Sequence, residues 1–141
     1  MQRSGPARVE VDGATVGSID GGLVVLLGVR RGDTAKDAEQ LARKVARLRV
    51  FEDSEGKMNL DLSGAGGAVL VVSQFTLYAE TRGGNRPGFG EAAPPDEANR
   101  LYSVFVERLR DQGAHVETGT FRAVMDVHLV NRGPVTILLE T

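Results

Sequence analysis

Gly22-Leu23-Val24-Val25-Leu26-Leu27-Gly28-Val29 carries no polar side chain over eight residues. A strand with one wet face alternates apolar and polar residues, so a run this uniform reads as a strand covered on both faces. Upstream, Ala7, Val9 and Val11 alternate with Arg8 and Glu10, the pattern of a half-buried strand. Asp12-Gly13 is a hairpin turn signal, and Ala14 to Ile19 is the returning strand. Downstream, Asp33 or Thr34 is placed to cap a helix running to about Leu48, with Ala38, Leu41, Val45 and Leu48 on its apolar face.

The same reading extends to the C-terminus. Val50-Phe51 leads into a turn at Asp53-Ser54-Glu55-Gly56, and Met58 to Leu62 is a short strand. Ala68 to Phe75 is a second buried strand. Tyr78 to Pro95 is rich in Gly and Pro and reads as a long loop, a feature often tied to function in a compact domain. Asp96 to Gln112 is a second helix with Ala98, Leu101, Tyr102, Phe105 and Leu109 on its core side, ended by Gly113. His115 to Glu117, Ala123 to Val130 and Val135 to Leu139 are the last strands. There is no internal repeat and no boundary, so residues 1–141 are expected to form one strand-rich domain with two helices.

Composition narrows the function classes. The chain has no cysteine, which excludes a disulfide scaffold, a thiolate zinc site and a cysteine nucleophile. No apolar run approaches the ~18 residues that would span a bilayer, and Met1 to Pro6 lacks the apolar stretch of a signal peptide. A cytoplasmic protein with no membrane partner is expected. The formal net charge of −2 lacks the basic excess of a broad nucleic-acid binder, so DNA is not an expected partner and any RNA contact should be local. Basic residues gather at Arg30-Arg31, at Arg43, Lys44, Arg47 and Arg49, and at Arg82 and Arg86. The middle group also fits one exposed helix face.

Two segments place polar residues against strongly apolar strands. Ser73-Gln74-Phe75-Thr76 follows VLVV, and Asn131-Arg132-Gly133-Pro134-Val135-Thr136 lies between AVMDVHLV and TILLE. Taken singly, the first also fits a strand end that satisfies loop backbone, and the second a tight turn. Together they resemble the two signature segments of the D-aminoacyl-tRNA deacylase family. The resemblance runs over nearly the whole chain, through Gln2-Arg3, Gly22 to Val29, RVFEDSEGKMN (Arg49 to Asn59), SQFTLYAETRGGNRPGF, Phe121 to Met125 and LVNRGPVT.

The resemblance implies an α/β fold: a mixed, mostly antiparallel sheet curled into a barrel-like core, with two main helices, working as a homodimer. It implies a substrate, the aminoacylated 3′ end of tRNA, with glycine mischarged on alanine tRNA as a second one. The active site is implied to lie between subunits, with Ser73, Gln74, Phe75 and Thr76 from one chain and a cis Gly133-Pro134 pair from the other. A carbonyl fixed there, beside a residue with no Cβ, would sit close to the substrate's α-carbon. A D-residue or glycine presents hydrogen at that point and an L-residue its side chain, which clashes. Asn131, Thr136 and Arg3 are implied to line or support this filter, and Phe121 and Met125 to form the adenine pocket. Arg82 and Arg86 are expected to meet terminal phosphates, or else to be solvated loop cations.

Thr76 is the obvious nucleophile, but a threonine hydroxyl needs a base. His115 and His128 fall in neither segment and read as surface or structural residues. No metal cluster or cofactor is expected. Backbone N–H groups around Phe75 and Thr76 are therefore the expected oxyanion hole, with the ribose 2′-hydroxyl helping to activate water and Thr76 and Gln74 shaping the pocket. Two departures from the family stand out. Met1 directly precedes Gln2-Arg3, and Ser4-Gly5-Pro6 replaces a more strand-like segment. This predicts a first strand that is frayed or lost and an Arg3 that misses its place; Pro6, lacking an N–H, requires an edge or an interruption. The alternative function that follows is a catalytically weakened binder of charged tRNA 3′ ends. The second departure, Arg122, stands where the family usually has glycine, and would reach phosphate or crowd the adenine site.

Overall fold

The computed structural model describes residues 1–141. Eight strands and two helices follow in the order β1 (Gln2–Val11), β2 (Ala14–Ile19), β3 (Gly22–Leu27), α1 (Ala35–Arg47), β4 (Phe51–Glu52), β5 (Met58–Leu60), β6 (Ala68–Ser73), α2 (Pro95–Asp111), β7 (His115–Thr118) and β8 (Asp126–Thr136). The main sheet runs β2-β1-β3-β6-β7, with β8 on β1, and β4-β5 forms a small separate ribbon. β3-β6 and β6-β7 are parallel and the other pairs antiparallel, giving a mixed, nearly closed barrel-like sheet.

β3 and β6 sit at the centre, covered on both faces as their uniform apolar character requires. Leu23, Val25, Leu27, Val69 and Val71 face one core, shared with Ala42 and Val45 of α1 and Phe105 and Leu109 of α2. Val24, Leu70 and Val72 face the other, inside the barrel, with Ala7 and Val9 of β1 and Ile19 of β2. Burying each of the larger of these side chains is worth about 1.5–3 kcal/mol, so both cores draw on the same two strands. Thr34 caps α1, its backbone N–H donating to Asp37 Oδ2 at 2.8 Å.

The N-terminus departs from expectation. β1 is neither frayed nor lost: it is a ten-residue strand paired from Gln2. Gln2 to Ser4 pair with β3, and Ala7 to Val11 pair with β2. Gly5 and Pro6 fall where β1 changes partner and where its pairing with β8 also slips. Pro6 thus sits at an interruption, where its missing N–H breaks no ladder bond.

The C-terminal end is a second correction. Ala123 to Val130 and Val135 to Leu139 are not two strands around a turn; β8 runs as one strand from Asp126 to Thr136. It does so with excess length, since Ser4 pairs with Asn131 while Gln2 pairs with Thr136. Two steps along β1 thus face five along β8, and the surplus residues bulge from the ladder. The Asn131 side chain closes the bulge, accepting from Val135 N at 2.7 Å and donating to Thr136 Oγ1 at 2.9 Å.

Gly22 opens β3 at φ +135°, and a Cβ there would lie 1.9 Å from the Ala68 carbonyl oxygen of β6. Both objections fall on rigid backbone. Gly22→Ala is therefore expected to destabilise the fold by about 3 kcal/mol or more. Denaturant titration checks this; a loss below about 1 kcal/mol, the ordinary cost of a surface change, would show that the β3-β6 contact is slack.

Candidate active site

β6 stops at Ser73, two residues short of the strand expected from its apolar run. Gln74 N still donates to Leu27 O at 2.8 Å, and the chain then tightens into a 3-10 turn over Phe75–Tyr78. Such a turn leaves its opening N–H groups, here those of Phe75 and Thr76, without acceptors inside it. Both residues are exposed. The Gln74 side-chain amide donates to Thr76 Oγ1, so the threonine hydroxyl is held by an amide and not by a base.

Ser73, Gln74 and Phe75 form one wall of a cavity of about 620 Å³. Phe89, from the long loop, meets Phe75 edge to face with ring centroids 4.9 Å apart. Phe121 and Met125 line another part of the same cavity, as do Pro94, Pro95 and Ala98 at the start of α2. Met125 packs against the barrel core. Phe121 leans on Tyr102, at 6.1 Å between ring centroids, and the Tyr102 hydroxyl donates to Val71 O at 2.9 Å. Burial pushes the Tyr102 pKa up to about 12. The only charged residues lining the cavity are Arg31 and Arg122.

The second signature segment lies elsewhere. The Gly133-Pro134 bond is cis, and both residues are exposed on the β8 bulge. Arg3, expected to miss this region, reaches it. Its Nε donates to Arg132 O at 2.9 Å, its Nη1 to Val50 O at 2.9 Å, and its Nη2 lies 3.3 Å from Glu52 Oε1. Gly133 has φ +133°, and a Cβ on it would come within 3.0 Å of Arg3 Nη2 and 2.7 Å of Val135 Cγ2. Only glycine fits beneath this guanidinium. None of Arg3, Asn131, Gly133, Pro134 or Thr136 lines the cavity of its own chain.

With this geometry in view, the comparisons with known proteins are specific. The family model described as D-Tyr-tRNA(Tyr) deacylase matches residues 1–140. This chain belongs to that family. Curated relatives named D-aminoacyl-tRNA deacylase include one from Anaeromyxobacter dehalogenans (strain 2CP-C), 60% identical over all of this chain and 95% of its own length. Another, from Thermotoga petrophila, is 58% identical over the same shares. A solved structure titled c-Myc DNA Unwinding Element Binding Protein superposes with a TM-score of 0.93 at 41% identity, covering 99% of this chain and 95% of its own. A probable eukaryotic D-amino acid tRNA deacylase shares the fold, with a TM-score of 0.77 at 17% identity over 94% and 92% of the two chains. The chain is thus a member of a hydrolase family.

Within this family member, the residues singled out by sequence sort into three places. Ser73, Gln74, Phe75, Phe121 and Met125 meet at the cavity, with Thr76 held to Gln74; Arg3, Asn131, Gly133, Pro134 and Thr136 meet at the bulge; Arg82 and Arg86 join neither. Arg82 lies against Glu80, its Nε 2.9 Å from Glu80 Oε2, and these contacts hold the Glu80 carboxyl below its ordinary pKa. The histidines pair with acids on their own surfaces, His115 with Glu117 at 3.2 Å and His128 with Glu10 at 3.3 Å. Phe89, the last residue of the SQFTLYAETRGGNRPGF stretch, and the first turn of α2 join the cavity without standing out as site residues in the sequence, and Arg31 is marked there only as half of a basic pair. The usable signals for Phe89 are its place at the end of that stretch and its being the lone aromatic between Ala79 and Pro95.

Arg122 adopts φ +65°, a left-handed conformation that costs a side-chain-bearing residue about 1–2 kcal/mol. Arg122→Gly is expected to raise stability by up to about 1 kcal/mol, read as a higher denaturation midpoint; a lower midpoint would mean that the arginine side chain contributes packing that outweighs the strain. Tyr102 supplies a pH test. Its folded pKa lies above the usual tyrosine value of 10, so its contribution is complete below pH 10 and is lost as pH rises toward 12. Unfolding free energies across that window should fall, and Tyr102→Phe should flatten the fall; an equal fall in the variant would assign it to other groups.

Proposed function

We propose that the protein hydrolyses the ester bond of D-aminoacyl-tRNA, and of glycine mischarged on alanine tRNA, releasing the free amino acid and tRNA. The observation that carries the reading is the separation of the two signature segments. One lines a cavity and the other stands out on an exposed bulge of the same chain. Two copies, each offering its bulge to the other's cavity, unite them, which makes the working unit a homodimer. Phe75, Leu77 and Val130 are large apolar residues at least half exposed in the single chain, as surfaces awaiting a partner would be.

In this reading the terminal adenine enters between Phe121 and Met125, where stacking contributes about 1–3 kcal/mol. The ester carbonyl points at the free N–H groups of Phe75 and Thr76, which stabilise the negative charge as it forms. Water adds to that carbonyl with help from the ribose 2′-hydroxyl; the ester C–O bond then breaks, the ribose oxygen takes a proton, and the amino acid leaves. Positioning an already labile ester suffices, so no side-chain base is required. Thr76, tied to Gln74, is a wall of the pocket. The partner copy's Gly-Pro carbonyl faces the substrate α-carbon and excludes L-residues by collision. The alternative of a weakened binder rested on a lost first strand, and with β1 paired and Arg3 seated its motive is gone.

The test is turnover of D-tyrosyl-tRNA against L-tyrosyl-tRNA by the dimeric protein. Hydrolysis of the D-ester alone is expected, and Thr76→Ala should keep measurable activity. Turnover of neither ester would end the hydrolase reading, and turnover of both would end the chirality filter. A Thr76→Ala protein that binds tRNA normally but is inactive would make the threonine the catalyst.

A further inference from the structure

We propose that Arg31 and Arg122 form a clamp at the cavity that grips the phosphodiester backbone of the RNA 3′ end; the identity of this ligand rests on the deacylase reading above. These two guanidinium groups are the only charges lining the cavity, and both residues are exposed. Arg31 is fixed at its base: its backbone N–H donates to Glu91 O at 2.9 Å and its Nε to Gly90 O at 2.6 Å. Its two terminal nitrogens have no protein partner. The nearby acid is already engaged, because Arg30 Nη2 holds Glu91 Oε2 at 2.8 Å.

Arg122 makes neither a salt bridge nor a side-chain hydrogen bond, and it sits on a backbone conformation that arginine adopts only at a cost. It thus gains nothing visible from the protein for that cost. Arg82 is the contrast, with its charge spent on Glu80. Phe75, Phe89 and Phe121 make the cavity a place for a flat base, which leaves the phosphates of a bound strand outside it. Planar guanidinium forks without carboxylate partners are suited to those phosphates. With a net charge of −2 the protein has no broad positive field, so attraction must come from such local cations.

The test is binding of an uncharged oligoribonucleotide ending in CCA, compared with adenosine, at several salt concentrations. The double variant Arg31→Gln, Arg122→Gln should bind the oligonucleotide about ten-fold more weakly. Its plot of log affinity against log salt should be shallower by about 1.4, or about 0.7 for each phosphate that is no longer neutralised. Adenosine, which carries no phosphate, should bind both proteins alike. Arg31→Lys, which keeps the charge, should recover much of the slope, and Arg43→Gln on the exposed side of α1 should leave it as in the parent. An unchanged slope, or adenosine binding that weakens in step with the oligonucleotide, would overturn the clamp. Parent protein that grips the oligonucleotide with the steeper slope yet leaves D-tyrosyl-tRNA intact would support the clamp and remove the hydrolase reading.

Discussion

The parallel contact between Gly22–Leu27 and Ala68–Ser73 is the joint on which this molecule turns. Six residue pairs run in unbroken register, and alternate side chains serve two different cores. Because the period of a strand is two, one slip of register would exchange those cores. The same contact sets the site. Leu27 pairs with Ser73, and the Leu27 carbonyl then holds Gln74 N, so the 3-10 turn bearing Phe75 and Thr76 starts at a fixed height above the sheet. Backbone placed this way, with the N–H groups of Phe75 and Thr76 on it, inherits the rigidity of the most buried strands in the protein.

The parts legible in the sequence were those governed by local periodicity. The runs at Leu23 to Leu27 and Val69 to Val72, and the apolar faces of both helices, follow from spacing alone, and Thr34 marks the start of α1. What escaped was governed by contacts distant along the chain. Asn131-Arg132-Gly133-Pro134 reads as a turn because Gly and Pro are turn residues. It remains within a strand because β1 spans the break and the Asn131 side chain supplies bonds where the ladder is interrupted. Phe89 and Arg31 are brought to the cavity by contacts far apart along the chain, such as the Arg31 N–H donating to Glu91 O and Phe89 meeting Phe75. No periodic signal marks such a contact.

The N-terminus shows how an unpromising local sequence can be carried by its surroundings. Ser4-Gly5-Pro6 has poor strand character. Yet β1 is the one strand with three neighbours, and it exchanges β3 for β2 at the point where Pro6 has no donor to offer. Ser4, the only buried polar residue, donates through its hydroxyl to Val130 O at 3.1 Å and so adds a side-chain bond to the irregular stretch of β1-β8. Arg3 is consequently delivered to the Arg132 carbonyl with three acceptors around its guanidinium. An exposed, bulged segment needs such bracing, since its own ladder has been given up.

Charge is distributed with the same economy. Many of the exposed arginines are tied to nearby acids: Arg8 to Glu10, Arg30 to Glu91, Arg82 to Glu80, Arg100 to Glu97, Arg108 to Glu39 and Asp111. Exposed pairs of this kind add little stability, about 0–1 kcal/mol each, but they cancel fields. Cations left without an acid set the local potential; Arg43, Lys44 and Arg47 do so on the exposed face of α1, and Arg31 and Arg122 do so at the cavity. In the proposed reading these two cations at the cavity hold the backbone of the RNA end there, while the net charge of −2 gives the protein no broad positive field to draw it elsewhere.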